Sequence, residues 1–234
     1  MGGPPVIGGA SAQEQAAPQL EFSVSGVEAL RHAATPTLAF ALEIESEGGR
    51  PVRSVMLDVQ LQIAARRRGY DGGEHERLAE LFGDPSRWGT TLRTLLWTRA
   101  TAVVTPFAGK TSAELAVPCT YDFEVTASRY LAALGDDGEV PLELLFSGTL
   151  FYAEEESGAL RVARIGWDRE AEIAMPVRVW REAMDSHFPN SAWLRVGRER
   201  FDRLVAYKAR HTLVSWEAAF DALLDRAESA EGAG

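Results

Sequence analysis

Apolar and polar residues alternate with a period of two through most of the chain. Leu20, Phe22 and Val24 are interleaved with Glu21, Ser23 and Ser25. Leu38, Phe40, Leu42 and Ile44 share one face, with Glu43 and Glu45 on the other. Val55, Leu57, Val59, Leu61 and Ile63 alternate with Met56, Asp58, Gln60 and Gln62. Leu115, Val117, Cys119, Tyr121, Phe123 and Val125 continue the pattern opposite Glu114, Thr120, Asp122 and Glu124. Such alternation predicts half-buried strands, one face on a core and one in water. LRTLLWTRATAVVTPF and EVPLELLFSGTLFYA predict two more, LRVARI and EAEIAMP two shorter ones, and EGGRP, GDDGE and EEESG read as turns between strands. Many short strands without intervening long helices favour an antiparallel β-sandwich over a parallel sheet.

From Pro176 the apolar spacing shifts towards 3.6. PVRVWREAMDSHFP predicts a helix bracketed by prolines, GRERFDRLVAYKAR puts Phe201, Leu204, Val205 and Lys208 on one side, and SWEAAFDALLDRAE carries a stripe at Trp216, Phe220, Leu223 and Leu224 behind a Ser215 cap. The predicted fold is mainly β (α+β): an antiparallel sandwich over 20–176 with a short helical insertion at 70–95, and two or three C-terminal helices over 177–226 packed on it as part of the same domain. Composition marks 1–19 and 227–234 as disordered tails. The helices must bury their stripes, against the sandwich or in a homodimer.

With 46% apolar and 25% charged residues the composition is that of a globular protein. A net charge of −10 argues against nucleic acid or anionic membrane as partners. The single cysteine, Cys119, excludes an internal disulfide framework and any cluster or Cys-rich zinc site built by this chain alone. The opening residues lack a basic region followed by an apolar core, and no apolar run reaches spanning length, so a cytoplasmic location without a membrane span is expected.

The motifs are weaker than they look. AGKT at Ala108–Thr111 ends like a phosphate-binding loop, but Val104 stands where the first glycine belongs, and a strand pattern follows instead of a helix; a hairpin turn fits better. HERLA at His75–Ala79 opens like a zinc-protease helix but has Ala79 in place of the second histidine. No metal site and no cofactor are expected. Cys119 falls on the apolar face of a strand, where a thiol is an inert hydrophobe. Asp185, His187 and His211 are the acid–base candidates, although residues two apart do not share a helical face and no nucleophile accompanies them.

Six tryptophans, several beside arginines, suggest either core filling or binding hot spots. The stretch RRRGYDGGEHERLAELFGDPSRW at 66–88 is read as an insertion that displays a small basic-aromatic surface of Arg66, Arg67, Arg68, Tyr70, Arg87 and Trp88, joined by Trp193. Three arginines are too few for nucleic acid but suffice for an acidic patch on a protein. Solvated decoration is the competing reading.

At AVPCTYDFEV, PLELLFSGTLFY, GWDREAE and HFPNSAW the chain resembles an uncharacterised bacterial family associated with nickel–iron hydrogenase gene clusters. That resemblance covers about residues 20–225 and brings no catalytic residues with it. It implies a non-enzymatic accessory or assembly protein that binds a hydrogenase subunit or maturation factor. The alternatives are a small-molecule hydrolase with an Asp/His site near the C-terminal helices, and a ligand-binding β-sandwich module.

Overall fold

The computed structural model describes residues 17–120, 122, 125–155, 157–189, 191 and 195–232. They divide into two compact units at the junction of Ala192 and Trp193.

The first unit is a sandwich of two antiparallel sheets. Strands β1 (Leu20–Ala29), β2 (Thr37–Ser46) and β6 (Lys110–Pro118) form a three-stranded sheet in the order β1-β2-β6. The facing sheet has the order β4-β3-β7-β8, from β3 (Pro51–Ile63), β4 (Leu95–Val104), β7 (Glu139–Ala153) and β8 (Leu160–Arg164); short β5 (Phe107–Ala108) pairs with β3, and β9 (Glu170–Pro176) with β7. Strand β6 runs beside β4 and β1 beside β9, closing both sides of the sandwich. The alternating apolar positions of these strands turn inward. Leu38, Phe40, Leu42 and Ile44 from one sheet meet Val55, Leu57, Val59, Leu61 and Ile63 from the other, and Phe22 stacks on Phe146 across the gap at 4.4 Å.

Strand β7 is the spine. Its first half pairs with β9 and its second with β8, while its other edge pairs with β3 along nearly its whole length. At Gly148 it comes so close to β3 that an added Cβ would lie 2.1 Å from the Met56 carbonyl oxygen, at φ +139°. Only glycine fits that crossing.

Helices cover the end of the sandwich where β3 finishes and β4 and β7 begin. They are α1 (Gly72–Phe82), α2 (Trp88–Thr91), α3 (Thr126–Ala133) and α4 (Val177–His187). Helix α4 buries Val177, Trp180, Ala183 and Met184. The sequence pattern continues a strand to Val125, whereas β6 stops at Pro118 and a helix begins at Thr126; Tyr121 and Phe123 lie outside the described residues. The strand ends at Pro118, and Ala127, Tyr130, Leu131 and Leu134 are buried at the three-to-four-residue spacing of a helix, not at the alternate spacing of a strand.

The second unit is a helical hairpin of α5 (Arg198–Arg210) and α6 (Trp216–Glu231). The Ser215 side chain caps α6 by accepting from the Ala218 N–H, and the helix continues past Ala227, where composition alone suggested a tail.

Candidate partner-binding site

The 66–88 stretch builds a lock, and three of its six expected display residues, Arg68, Tyr70 and Trp88, face inward. Asp71 caps α1 and completes a capping box with Glu74. The Arg68 guanidinium then donates from both Nη atoms to Glu74, each at 2.7 Å, and from Nε to the Glu139 carbonyl at the start of β7. Glu74 also accepts from the backbone N–H of Gly135, so one carboxylate ties α1 to the α3–β7 connection. The pair is sequestered, with side chains 11% and 3% exposed. Burial by itself would raise the Glu74 pKa; the Arg68 bonds, followed by the Gly135 and Asp71 amides, overcome it and hold the carboxyl at about 2.

Tyr70 donates to the Ala65 carbonyl or shares a hydrogen bond with Tyr130, its oxygen 2.7 Å and 2.9 Å from those partners, and burial pushes both phenols up. Trp88 is buried in a ring of edge-on contacts with Tyr70, His75 and Phe82, and its indole N–H donates to the Gly83 carbonyl. Arg68, Tyr70 and Trp88 are therefore not a display surface: a cap over an open sandwich end needs buried aromatics and a neutralised charge, and these residues supply them. Arg67 reaches out but pairs with Glu143 at 3.1 Å and Glu172 at 2.6 Å on the sheet surface. Arg66 and Arg87 are exposed. Trp193 lies outside the described residues.

The acid–base candidates do not assemble. Asp185 is exposed on α4. The His187 ring spans from α4 to the β1–β2 connection, with Nε2 2.9 Å from the Ala33 carbonyl and Nδ1 3.1 Å from that of Ala183 and 2.9 Å from Ser186 Oγ. Both ring nitrogens are thereby engaged in holding the helix end. His211 belongs to the other unit, at the C-cap of α5 and 4.5 Å from the Tyr207 ring. Cys119 is buried, and burial pushes its thiol up to about 12. AGKT is a turn, with Gly109 at φ +71° between β5 and β6. Among the described residues no three His, Cys, Asp or Glu side chains gather as metal ligands, and no helix is long and apolar enough to cross a membrane.

What the larger sheet does expose is an apolar strip. Outward positions should be polar, and near the cap they mostly are: Asp58 faces Thr101 and Gln60 faces Arg99, while Gln62 faces the exposed Leu96. Towards the opposite end the same face carries Met56 opposite Val103 and, across β7, Val162 and Leu160 on β8, all exposed, with Thr149 and Arg164 in the same row as Met56. The connection after β8 lifts Trp167 into solvent, 94% exposed. That loop is pinned on both shoulders, by Ile165 N–H to the Gly148 carbonyl and by Phe146 N–H to the Arg169 carbonyl, and Arg169 pairs with Glu21. Sequence reasoning passed over these residues. The signal lay in apolar side chains at Met56 and Val103, on the polar phase of otherwise regular strands.

Solved structures give only faint likenesses. A β-glucosidase from Kluyveromyces marxianus aligns with 68% of this chain and 15% of its own at 8% identity and a TM-score of 0.24. The putative ApaA protein from Bordetella pertussis aligns with 68% of this chain and 95% of its own at 13% identity and a TM-score of 0.23. β-Glucosidase 3B from Thermotoga neapolitana, in complex with α-D-glucose, aligns with 67% and 17% at 11% identity and a TM-score of 0.22. This chain thus spans less than a fifth of either glucosidase. No curated protein matches it. Residues 17–232 match the sequence profile of a family of unknown function, and the chain belongs to that family, DUF6084.

Proposed function

We propose that this protein works by binding another protein, as an accessory or assembly factor, and docks through the strip of Met56, Val103, Val162 and Leu160 with Trp167 at its edge. The observation that carries this reading is Trp167, almost wholly exposed on a loop held at both shoulders. A rigidly presented tryptophan loses little conformational freedom on binding and supplies a large apolar contact, which is why tryptophan is enriched at binding hot spots. Arg164 beside the strip suits an acidic rim on the partner.

The resemblance to a hydrogenase-associated family makes a nickel–iron hydrogenase subunit or maturation factor the proposed partner, with the cytoplasm as the place of action. The test is affinity purification of the tagged chain from a native lysate beside its Trp167→Ala and Val162→Asp variants. The expected result is enrichment of a hydrogenase or maturation subunit by the parent protein and its loss from both variants. Return of the tagged chain alone, or unchanged recovery by the variants, overturns the reading.

A further inference from the structure

The α5–α6 hairpin carries a second, independent surface. Helix α5 exposes Phe201 and Val205, and α6 exposes Phe220 and Leu224, each pair spaced i,i+4 on one helical face. Inside the hairpin the Trp216 ring lies against Phe201 at 5.4 Å, and Lys208 stands 5.7 Å from the same indole. Phe220 also lies 6.4 Å from that indole, so Phe201 and Phe220 are partly covered within the hairpin, while Val205 and Leu224 remain open to solvent.

The charges are as uneven as the stripes. Helix α5 has five basic side chains against two acidic ones, and α6 has five acidic against one basic. Opposite charge on adjacent helices should zip a hairpin together. Yet among the described residues no ion pair joins α5 to α6, and Arg198–Asp202 lies within α5. Arg200 and Arg203 beside the α5 stripe, and Asp221 and Asp225 beside the α6 stripe, are all exposed and unpaired.

We infer that the hairpin is a self-association module, in which α5 of one copy lies against α6 of a second copy in an antiparallel four-helix bundle. A two-fold axis makes both contacts at once: basic α5 meets acidic α6 twice, and the exposed Val205 and Leu224 of each copy are covered by the other's. A second copy is the partner these charges fit, because the surface it presents is the complement of the one it covers. This inference does not depend on the docking strip of the sheet.

Charge exchange in the full chain tests it. Arg200→Glu with Arg203→Glu makes α5 acidic, and Asp221→Lys with Asp225→Lys makes α6 basic. Sedimentation equilibrium of the parent chain should give twice the 25.5 kDa chain mass. Each exchanged variant alone should sediment as a monomer, and an equimolar mixture should recover the dimer, since only the mixture pairs acidic α5 with basic α6 and the reverse. Circular dichroism follows whether the helices persist. Should either variant lose them, Leu224→Glu serves instead, because Leu224 is 59% exposed and its replacement leaves the hairpin's inner contacts intact. That variant should weaken dimerisation at least tenfold. A monomeric parent, dimers persisting in all three variants, or a mixture that stays monomeric overturns the inference.

Discussion

Replacing Glu74 by glutamine tests whether the Arg68–Glu74 pair locks the cap. The folded protein holds this carboxyl at about 2 against an ordinary value of 4.5. At about 1.4 kcal/mol for each tenfold in proton affinity, that depression corresponds to ~3 kcal/mol of stability at neutral pH. The figure agrees with the ~3–5 kcal/mol expected when one partner of a buried pair is removed and the other charge is stranded. The sign follows from the direction: a depressed carboxyl stabilises above its unfolded value and loses that contribution as pH falls from about 5 towards 2. Urea unfolding of parent and Glu74→Gln should therefore differ by ~3 kcal/mol at pH 7, and the gap should close on acidification because the parent comes to resemble the variant. A paired replacement, Arg68→Met with Glu74→Leu, should cost less than the single change, since no charge is left buried. Equal stability of parent and Glu74→Gln at pH 7, or a difference that persists unchanged to pH 2, refutes the reasoning.

Three further outcomes follow from the same contacts. Gly148→Ala should cost more than ~3 kcal/mol or abolish folding, read by thermal denaturation, because its Cβ would lie 2.1 Å from the Met56 carbonyl at a φ that favours glycine. Tyr130→Phe should cost only ~1 kcal/mol by the same measurement, since Tyr70 keeps its bond to the Ala65 carbonyl. Cys119, with its thiol at about 12, should stay unreactive towards a thiol-disulfide reagent at pH 8 in the native protein and react at once in urea.

The sheets were legible because the pattern that defines a half-buried strand is local: β7, β8, β9 and α4 fall within the segments that periodicity marks. Helix α3 was not, because Tyr121, Phe123 and Val125 extend an alternation whose continuation is stopped by Pro118, and the competing helical stripe from Ala127 to Leu134 is short. The 66–88 stretch failed for another reason. Three adjacent arginines look alike in sequence, but Arg66 is exposed, Arg67 lies on the sheet, and Arg68 turns inward to a carboxylate six residues on. The clue was present as Asp71-Gly-Gly-Glu74, a capping box that fixes where Glu74 must point and so which arginine can reach it.

That distribution of arginine and tryptophan bears on function. In the cap, the residue types most common at binding hot spots are consumed by structure: Trp88 fills a ring of aromatics, and Arg68 neutralises a buried acid. Their number therefore carries no information about binding, and only their exposure does. Among the described tryptophans that criterion picks out Trp167, beside its apolar strip, and the exposed apolar side chains of the α5–α6 hairpin give a second surface. The two differ in kind. The strip is chiefly apolar, with Arg164 beside it, and we read it as a surface for a different molecule. The hairpin carries both signs, separated onto two helices, and a surface that contains its own complement is satisfied most simply by another copy of itself.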